Sequence, residues 1–145
     1  MDTRTGGCLC GAVRFEARLE GTDLGACHCG MCRRWSGAAT VSLPVKADAM
    51  RINGEDAVRA YRSSDWAERC FCGICGSSLW YRVTLPGGPH DYIISAGLLD
   101  DLSGLHLAHE IHIDRKPDAW AFAGAHARLT EAETLAQHGA TTEGA

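Results

Sequence analysis

The sequence predicts a mainly β fold: a small domain of short antiparallel strands in packed sheets, with one short C-terminal helix. Three observations predict it. Residues 12–20, AVRFEARLE, alternate strictly between apolar and charged positions, the period of a half-buried strand. Turn signals such as Asn53-Gly54 and Pro86-Gly87-Gly88-Pro89 recur at short intervals. A convincing helix signal occurs only near the end of the chain, in LTEAETLAQHG.

Each element follows from its residues. In the first strand Val13, Phe15, Ala17 and Leu19 share one face, and Arg14, Glu16, Arg18 and Glu20 share the other. Val41, Leu43 and Val45 repeat the pattern until Pro44, which lacks a backbone donor and confines the segment to an edge or a strand end. Ile52-Asn53-Gly54-Glu55 carries the signal of a tight hairpin, with Val58, Ala60 and Tyr61 on the return. Leu79 to Thr84 and Tyr92 to Gly97 read as strands flanking the Pro-Gly-Gly-Pro turn. Glu110 to Asp114 and Ala119 to Ala123 are shorter strand candidates. In the last element Thr130 and Glu133 form a capping box, and Gly139 stands where a helix ends. The expected organisation is a single domain over residues 1–139 and a disordered tail at 140–145.

Composition asks for a further source of stability. The chain has 145 residues, of which Ile, Leu, Val and Phe account for only 27, while alanine supplies 21 and cysteine eight. A core so thin in large aliphatics is near the level where folding alone becomes doubtful. Bound metal is the natural supplement, because a structural zinc contributes about 10 kcal/mol or more to folding. The formal net charge is −4 and the arginines are scattered, so no basic field points to nucleic acid. No apolar run approaches the roughly 20 residues of a membrane span, and MDTRTGGCLC lacks the apolar region of a signal peptide. The expectation is a cytoplasmic protein whose thiols stay reduced, where clustered cysteines favour metal over disulfides.

The cysteines form three clusters: Cys8-Leu-Cys10, Cys27-His-Cys29-Gly-Met-Cys32 and Cys70-Phe-Cys72-Gly-Ile-Cys75. Cys72 and Cys75 have the spacing of a zinc knuckle, and a glycine follows the second thiol. Tetrahedral zinc needs four soft ligands and rarely finds them in one short stretch. Cys8 and Cys10 supply the missing pair. We assign Cys8, Cys10, Cys72 and Cys75 to one closed, structural zinc. Cys27, Cys29 and Cys32 then remain as three thiolates with an open fourth position, the pattern of a catalytic or ligand-exchanging zinc. Arg33 and Arg34 follow directly; they would offset thiolate charge and attract an anionic ligand. The same spacing also fits a second closed site, with Cys70 or His28 as its fourth ligand.

These stretches resemble the glutathione-dependent formaldehyde-activating enzymes, also called the centromere protein V/GFA domain family. The resemblance is carried by GGCLCGAVRFEA (6–17), CHCGMCRRWSGA (27–38), Tyr61-Arg62-Ser63-Ser64, RCFCGICGSSLW (69–80), ISAGLLDD (94–101) and IHIDRKPDAWAF (111–122), in the family's order. It implies a zinc-bound, mainly β fold of two small packed sheets. It implies a structural zinc on Cys8, Cys10, Cys72 and Cys75, and a second zinc on Cys27, Cys29 and Cys32 that is associated with glutathione. The implied reaction is a carbon–sulfur lyase running in the synthetic direction, joining glutathione to formaldehyde as S-hydroxymethylglutathione. Glutathione and a small aldehyde are thus the implied partners. Two positions depart from the family pattern. Cys70 is an additional thiol, and His109, Ile111 and His112 compete for the place of a late histidine, to which no role is transferred. Two other classes use the same residues: a non-catalytic zinc module that binds glutathione or a protein, and a thiol redox enzyme working through Cys29 and Cys32.

Overall fold

The structure is a computed structural model describing residues 2–88 and 90–138. In chain order its elements are β1 (Asp2–Gly7), β2 (Arg14–Leu19), β3 (Asp23–Cys27), α1 (Gly30–Ser36), β4 (Thr40–Val45), β5 (Met50–Asn53), β6 (Val58–Arg62), β7 (Ala67–Cys72), β8 (Ser78–Val83), β9 (Tyr92–Ser95), β10 (His106–Ile111), β11 (Ala127–Arg128) and α2 (Glu131–His138), with 3-10 turns between some of them. They divide into two compact units, one of Met1–Thr22 with Ser42–Gly104 and one of Asp23–Val41 with Leu105–Ala145. Among the described residues no helix is long and apolar enough to cross a membrane.

The first unit holds two antiparallel sheets. One has the order β1-β2-β5, with Phe15 opposite Gly6 on one side and Ile52 on the other. The second runs β4-β9-β8-β7-β6. The alternation in β2 works as its sequence dictates: Phe15, Ala17 and Leu19 are buried, while Glu16 and Arg18 are exposed. Phe15 meets Trp80 of β8 edge to face at 6.2 Å, and Trp80 meets Tyr92 of β9 in the same way at 5.3 Å. Edge-to-face pairs are worth about 0.5–1.5 kcal/mol beyond their buried area. Around them Val13, Leu43, Val45, Leu79 and Ile94 complete an aliphatic core. Pro44 lies one residue from the end of β4.

The Asn53-Gly54 step is not a hairpin. Gly54 adopts the left-handed conformation (φ 84°) that the pair foretells, but a 3-10 turn over Glu55–Ala57 follows it. That turn delivers β6 to the second sheet, against β7, while β5 stays on β2. Close approach fixes the glycine, since a Cβ on residue 54 would lie 1.9 Å from the Ala12 carbonyl oxygen.

The second unit has parallel pairings where antiparallel ones were expected: β3 and β11 both lie parallel to β10, one on each side. β10 starts earlier than the predicted 110–114 segment and shares only residues 110–111 with it, because a 3-10 turn over Ile113–Arg115 ends the extended run; residues 119–123 are irregular rather than a strand. The capping box of α2 is present in both directions, with Glu133 N donating to Thr130 Oγ1 at 3.2 Å and Thr130 N to Glu133 Oε1 at 3.0 Å. Gly139 and the predicted tail at 140–145 lie outside the described residues. Among the described residues, no buried apolar side chain of this unit is larger than alanine or cysteine. Its interior is built from thiols and from the polar groups of His28, Glu110, His112 and Thr134.

Candidate metal centres

Cys8 and Cys10 stand in the turn that leads from β1 to β2; Cys72 ends β7, and Cys75 lies in the turn before β8. All four ligand atoms fall within 4.8 Å of one another. Cys8 Sγ is 3.6 Å from Cys10 Sγ, which is 3.8 Å from Cys72 Sγ. Sulfurs about 2.3 Å from a tetrahedral zinc stand about 3.8 Å apart, so four soft donors are set at the spacing the ion requires. Backbone N–H groups also point at the sulfurs: Val13 N donates to Cys8 Sγ at 3.3 Å and Ile74 N to Cys72 Sγ at 3.4 Å. Such donation stabilises thiolates. Donation from the Ser77 hydroxyl and backbone holds Cys75 down to about 5. At Cys10 the Ala12 backbone acts in the same direction, but partial burial and the other three thiols prevail and push it up to about 11. Without a cation, one negative charge on this group opposes the next.

The second group is Cys27, Cys29 and Cys32, in the second unit, again with all ligand atoms within 4.8 Å. Cys27 closes β3, Cys29 is the N-cap of α1, and Cys32 lies in the first turn of that helix. All three are buried, with Ile111 packed against them. Contact with the Cys29 and Cys32 thiols, reinforced by burial, drives the Cys27 pKa far above its ordinary value. Three crowded, buried thiols can ionise together only beside a cation. The donor set is thus suited to a soft divalent metal, and among the described residues no fourth Cys, His, Asp or Glu atom joins it.

The remaining candidates fall elsewhere. Cys70 belongs to neither thiol group. It is buried in β7, with Sγ 3.8 Å from Glu68 Oε1, and burial pushes its pKa up to about 11. Arg33 and Arg34 are exposed in the last turn of α1, where positive charge also complements the helix end. His28 Nε2 lies 2.6 Å from Glu110 Oε1.

That last contact belongs to a cluster the sequence reading missed. Glu110 is 1% exposed, on β10. Its Oε2 lies 2.6 Å from His126 Nε2 and 3.0 Å from Arg128 Nε. Burial alone would raise the pKa of this carboxyl; hydrogen bonds from His126 and His28, with the charge of Arg128, outweigh it and hold the pKa below its ordinary value. Since a carboxylate only accepts hydrogen bonds, Nε2 carries the hydrogen on both imidazoles. His28 and Glu110 are 82 residues apart, so no local pattern announces the pair. The only available signal was a glutamate at a strand position.

Comparison with known proteins adds the lineage. The family model for the glutathione-dependent formaldehyde-activating enzyme matches residues 3–115. An uncharacterized lyase of Schizosaccharomyces pombe is 32% identical over 93% of this chain and 96% of its own. A Halomonas elongata protein, provisionally named as a glutathione-dependent formaldehyde-activating enzyme, is 31% identical over 52% of this chain and 53% of its own. A Rhodobacter sphaeroides protein of known crystal structure superposes with a TM-score of 0.56 at 26% identity, covering 70% of this chain and 90% of that one.

Proposed function

The chain belongs to the glutathione-dependent formaldehyde-activating enzyme family and is an enzyme of the carbon–sulfur lyase class; from that premise we propose that it joins glutathione to formaldehyde at Cys27, Cys29 and Cys32. The observation that carries this reading is the buried group of three thiols with no fourth protein ligand among the described residues. The missing ligand is then exogenous, the glutathione sulfur. Cys8, Cys10, Cys72 and Cys75 hold a second, structural zinc in the same reading.

The chemistry is an addition. The glutathione sulfur forms a bond to the aldehyde carbon, the carbonyl π bond opens onto oxygen, and the thiol proton ends on that oxygen. Nothing is oxidised and nothing leaves. A free thiol with a pKa near 8.5 is mostly protonated at neutral pH, so ionisation is the main demand; a zinc ion held by Cys27, Cys29 and Cys32 would supply the charge that favours a thiolate and a Lewis acid for the carbonyl. The rest is the work of the protein. Burial of the three cysteines keeps the reacting region at low dielectric, where charge interactions are strong. Arg33 and Arg34, exposed just after Cys32, offer cations to the glutathione carboxylates. His28, directed onto Glu110, is kept from competing for the fourth position.

The test is adduct formation followed by NMR with zinc-loaded protein, glutathione and formaldehyde at concentrations where the spontaneous reaction is slow. Acceleration that disappears in Cys32→Ser is expected. Glutathione binding without acceleration would replace the lyase reading with that of a glutathione-binding module.

A further inference from the structure

We propose that Glu110 is a positioning residue for the Cys27/Cys29/Cys32 site: a buried carboxylate, anchored by the C-terminal segment, that holds His28 and through it sets the spacing of the two flanking thiols. The inference rests on the reading of that triad as a metal site and deepens it.

The backbone explains why a grip on His28 acts on the cysteines. β3 ends at Cys27, and Cys29 is still extended at φ −62°, ψ 158°. Successive side chains along extended chain point to opposite sides. Cys27 and Cys29 therefore face one way and His28 the other, away from any metal. The imidazole is fully buried, bonded to Glu110 and packed against Phe122 with ring centroids 5.9 Å apart. His28 N also donates to the Ile111 carbonyl at 3.2 Å, so residue 28 is held through both side chain and backbone.

Glu110 is fixed in turn from the far side. His126 and Arg128 bind its Oε2. Arg128 also donates through Nη2 to the carbonyls of Phe122 and Gly124, both at 3.0 Å, which gathers the irregular segment before β11. Leu129 N donates to the Glu110 carbonyl at 2.8 Å. These anchors, His126, Arg128 and Leu129, all come after residue 115, where the family match ends. The stretch beyond that match therefore braces the triad while contributing no thiol to it. Residues that orient metal ligands indirectly commonly change metal affinity by about 10–100-fold when removed.

The two thiol groups provide an internal comparison. Zinc-loaded wild type and variants would be titrated with a chromophoric chelator, with Cys32→Ser and Cys72→Ser identifying which release belongs to which group. Glu110→Ala should weaken the triad's zinc by about tenfold or more and leave the four-thiol zinc unchanged. Arg128→Ala should give a smaller loss at the same site. His28→Gln, whose amide can still donate to Glu110, should retain more affinity than His28→Ala. A general loss of stability would not produce that selectivity or that partial rescue. If Glu110→Ala does not fold, Arg128→Ala and the two His28 variants decide the matter. Two zinc equivalents in wild type, with triad affinity unchanged in all variants, would overturn this inference alone. A wild type that binds a single equivalent would overturn the reading of the triad and this inference together.

Discussion

Cys29 caps the helix that carries Cys32: its Sγ accepts a hydrogen bond from the Cys32 backbone N–H at 3.4 Å. One side chain therefore belongs to the thiol triad and also satisfies a donor that the start of α1 would otherwise leave unpaired. The two roles can be separated. Serine is a good N-cap but a poor soft ligand. Cys29→Ser should lose metal at the triad while keeping α1 intact, and Cys29→Ala should lose both. In metal-free protein, denaturant unfolding should find the alanine variant about 1 kcal/mol less stable than the serine variant. Equal stability would remove the capping role.

The two units should respond differently to loss of the triad. The first has Phe15, Leu79, Ile94 and Trp80 in its core, whereas the second buries only thiols, alanine and polar groups among the described residues. Cys32→Ser should lower amide-exchange protection in β3 and β10 while that of β2 and β8 is unchanged. Loss of protection in the first unit before the second would contradict this assignment of stability.

Gly54 tests the turn that was read as a hairpin. Gly54→Ala should destabilise the protein by more than about 1 kcal/mol, combining a left-handed backbone with a backbone clash. Gly76→Ala is the control, at φ 79° with open space around its Cβ position. It should cost only the conformational part, about 1 kcal/mol. Similar urea midpoints for the two variants would show that the close approach to Ala12 is relieved cheaply.

Much of the first unit was legible because its physics is local. The alternation in β2 and the glycine-proline turn before β9 need no distant partner, and cysteine spacing identified the same two thiol groups that the fold assembles. The second unit was less legible for physical reasons. α1 begins at a cysteine cap rather than Ser, Thr, Asp or Asn, so its start carries no ordinary signal. β3, with Asp-Leu-Gly-Ala-Cys, has little alternation. β10 buries a glutamate, and the groups that make this tolerable come from positions 28, 126 and 128. At Asn53-Gly54 the left-handed residue was readable, but the destination of the next strand was not.

Asp100 gives a prediction in pH. Arg14 Nη1 donates to its Oδ1 at 3.1 Å, Arg14 Nη2 to Oδ2 at 2.5 Å, and Thr5 Oγ1 to Oδ2 at 2.7 Å. Arg14 and then Thr5 hold the Asp100 carboxyl at about 2, against about 3.9 for an unfolded aspartate. A depressed folded pKa favours the folded state above the unfolded value and ceases to do so as pH falls through the folded one. The stability difference between wild type and Asp100→Asn should therefore be constant from neutral pH down to about 5 and disappear near pH 2. A difference that does not change across that range would show that the contribution is not electrostatic.

The central claim, that Cys27, Cys29 and Cys32 hold a metal with one position left for glutathione, is tested most directly by the absorption of cobalt-substituted protein during a glutathione titration. Cobalt in thiolate sites has charge-transfer bands that report each sulfur bound. Glutathione should change the bands assigned to the triad by their loss in Cys32→Ser, S-methylglutathione should not, and Arg33→Ala with Arg34→Ala should shift the midpoint to higher concentration. A triad spectrum that stays unchanged at saturating glutathione, in wild type and in Cys70→Ser alike, would contradict the account.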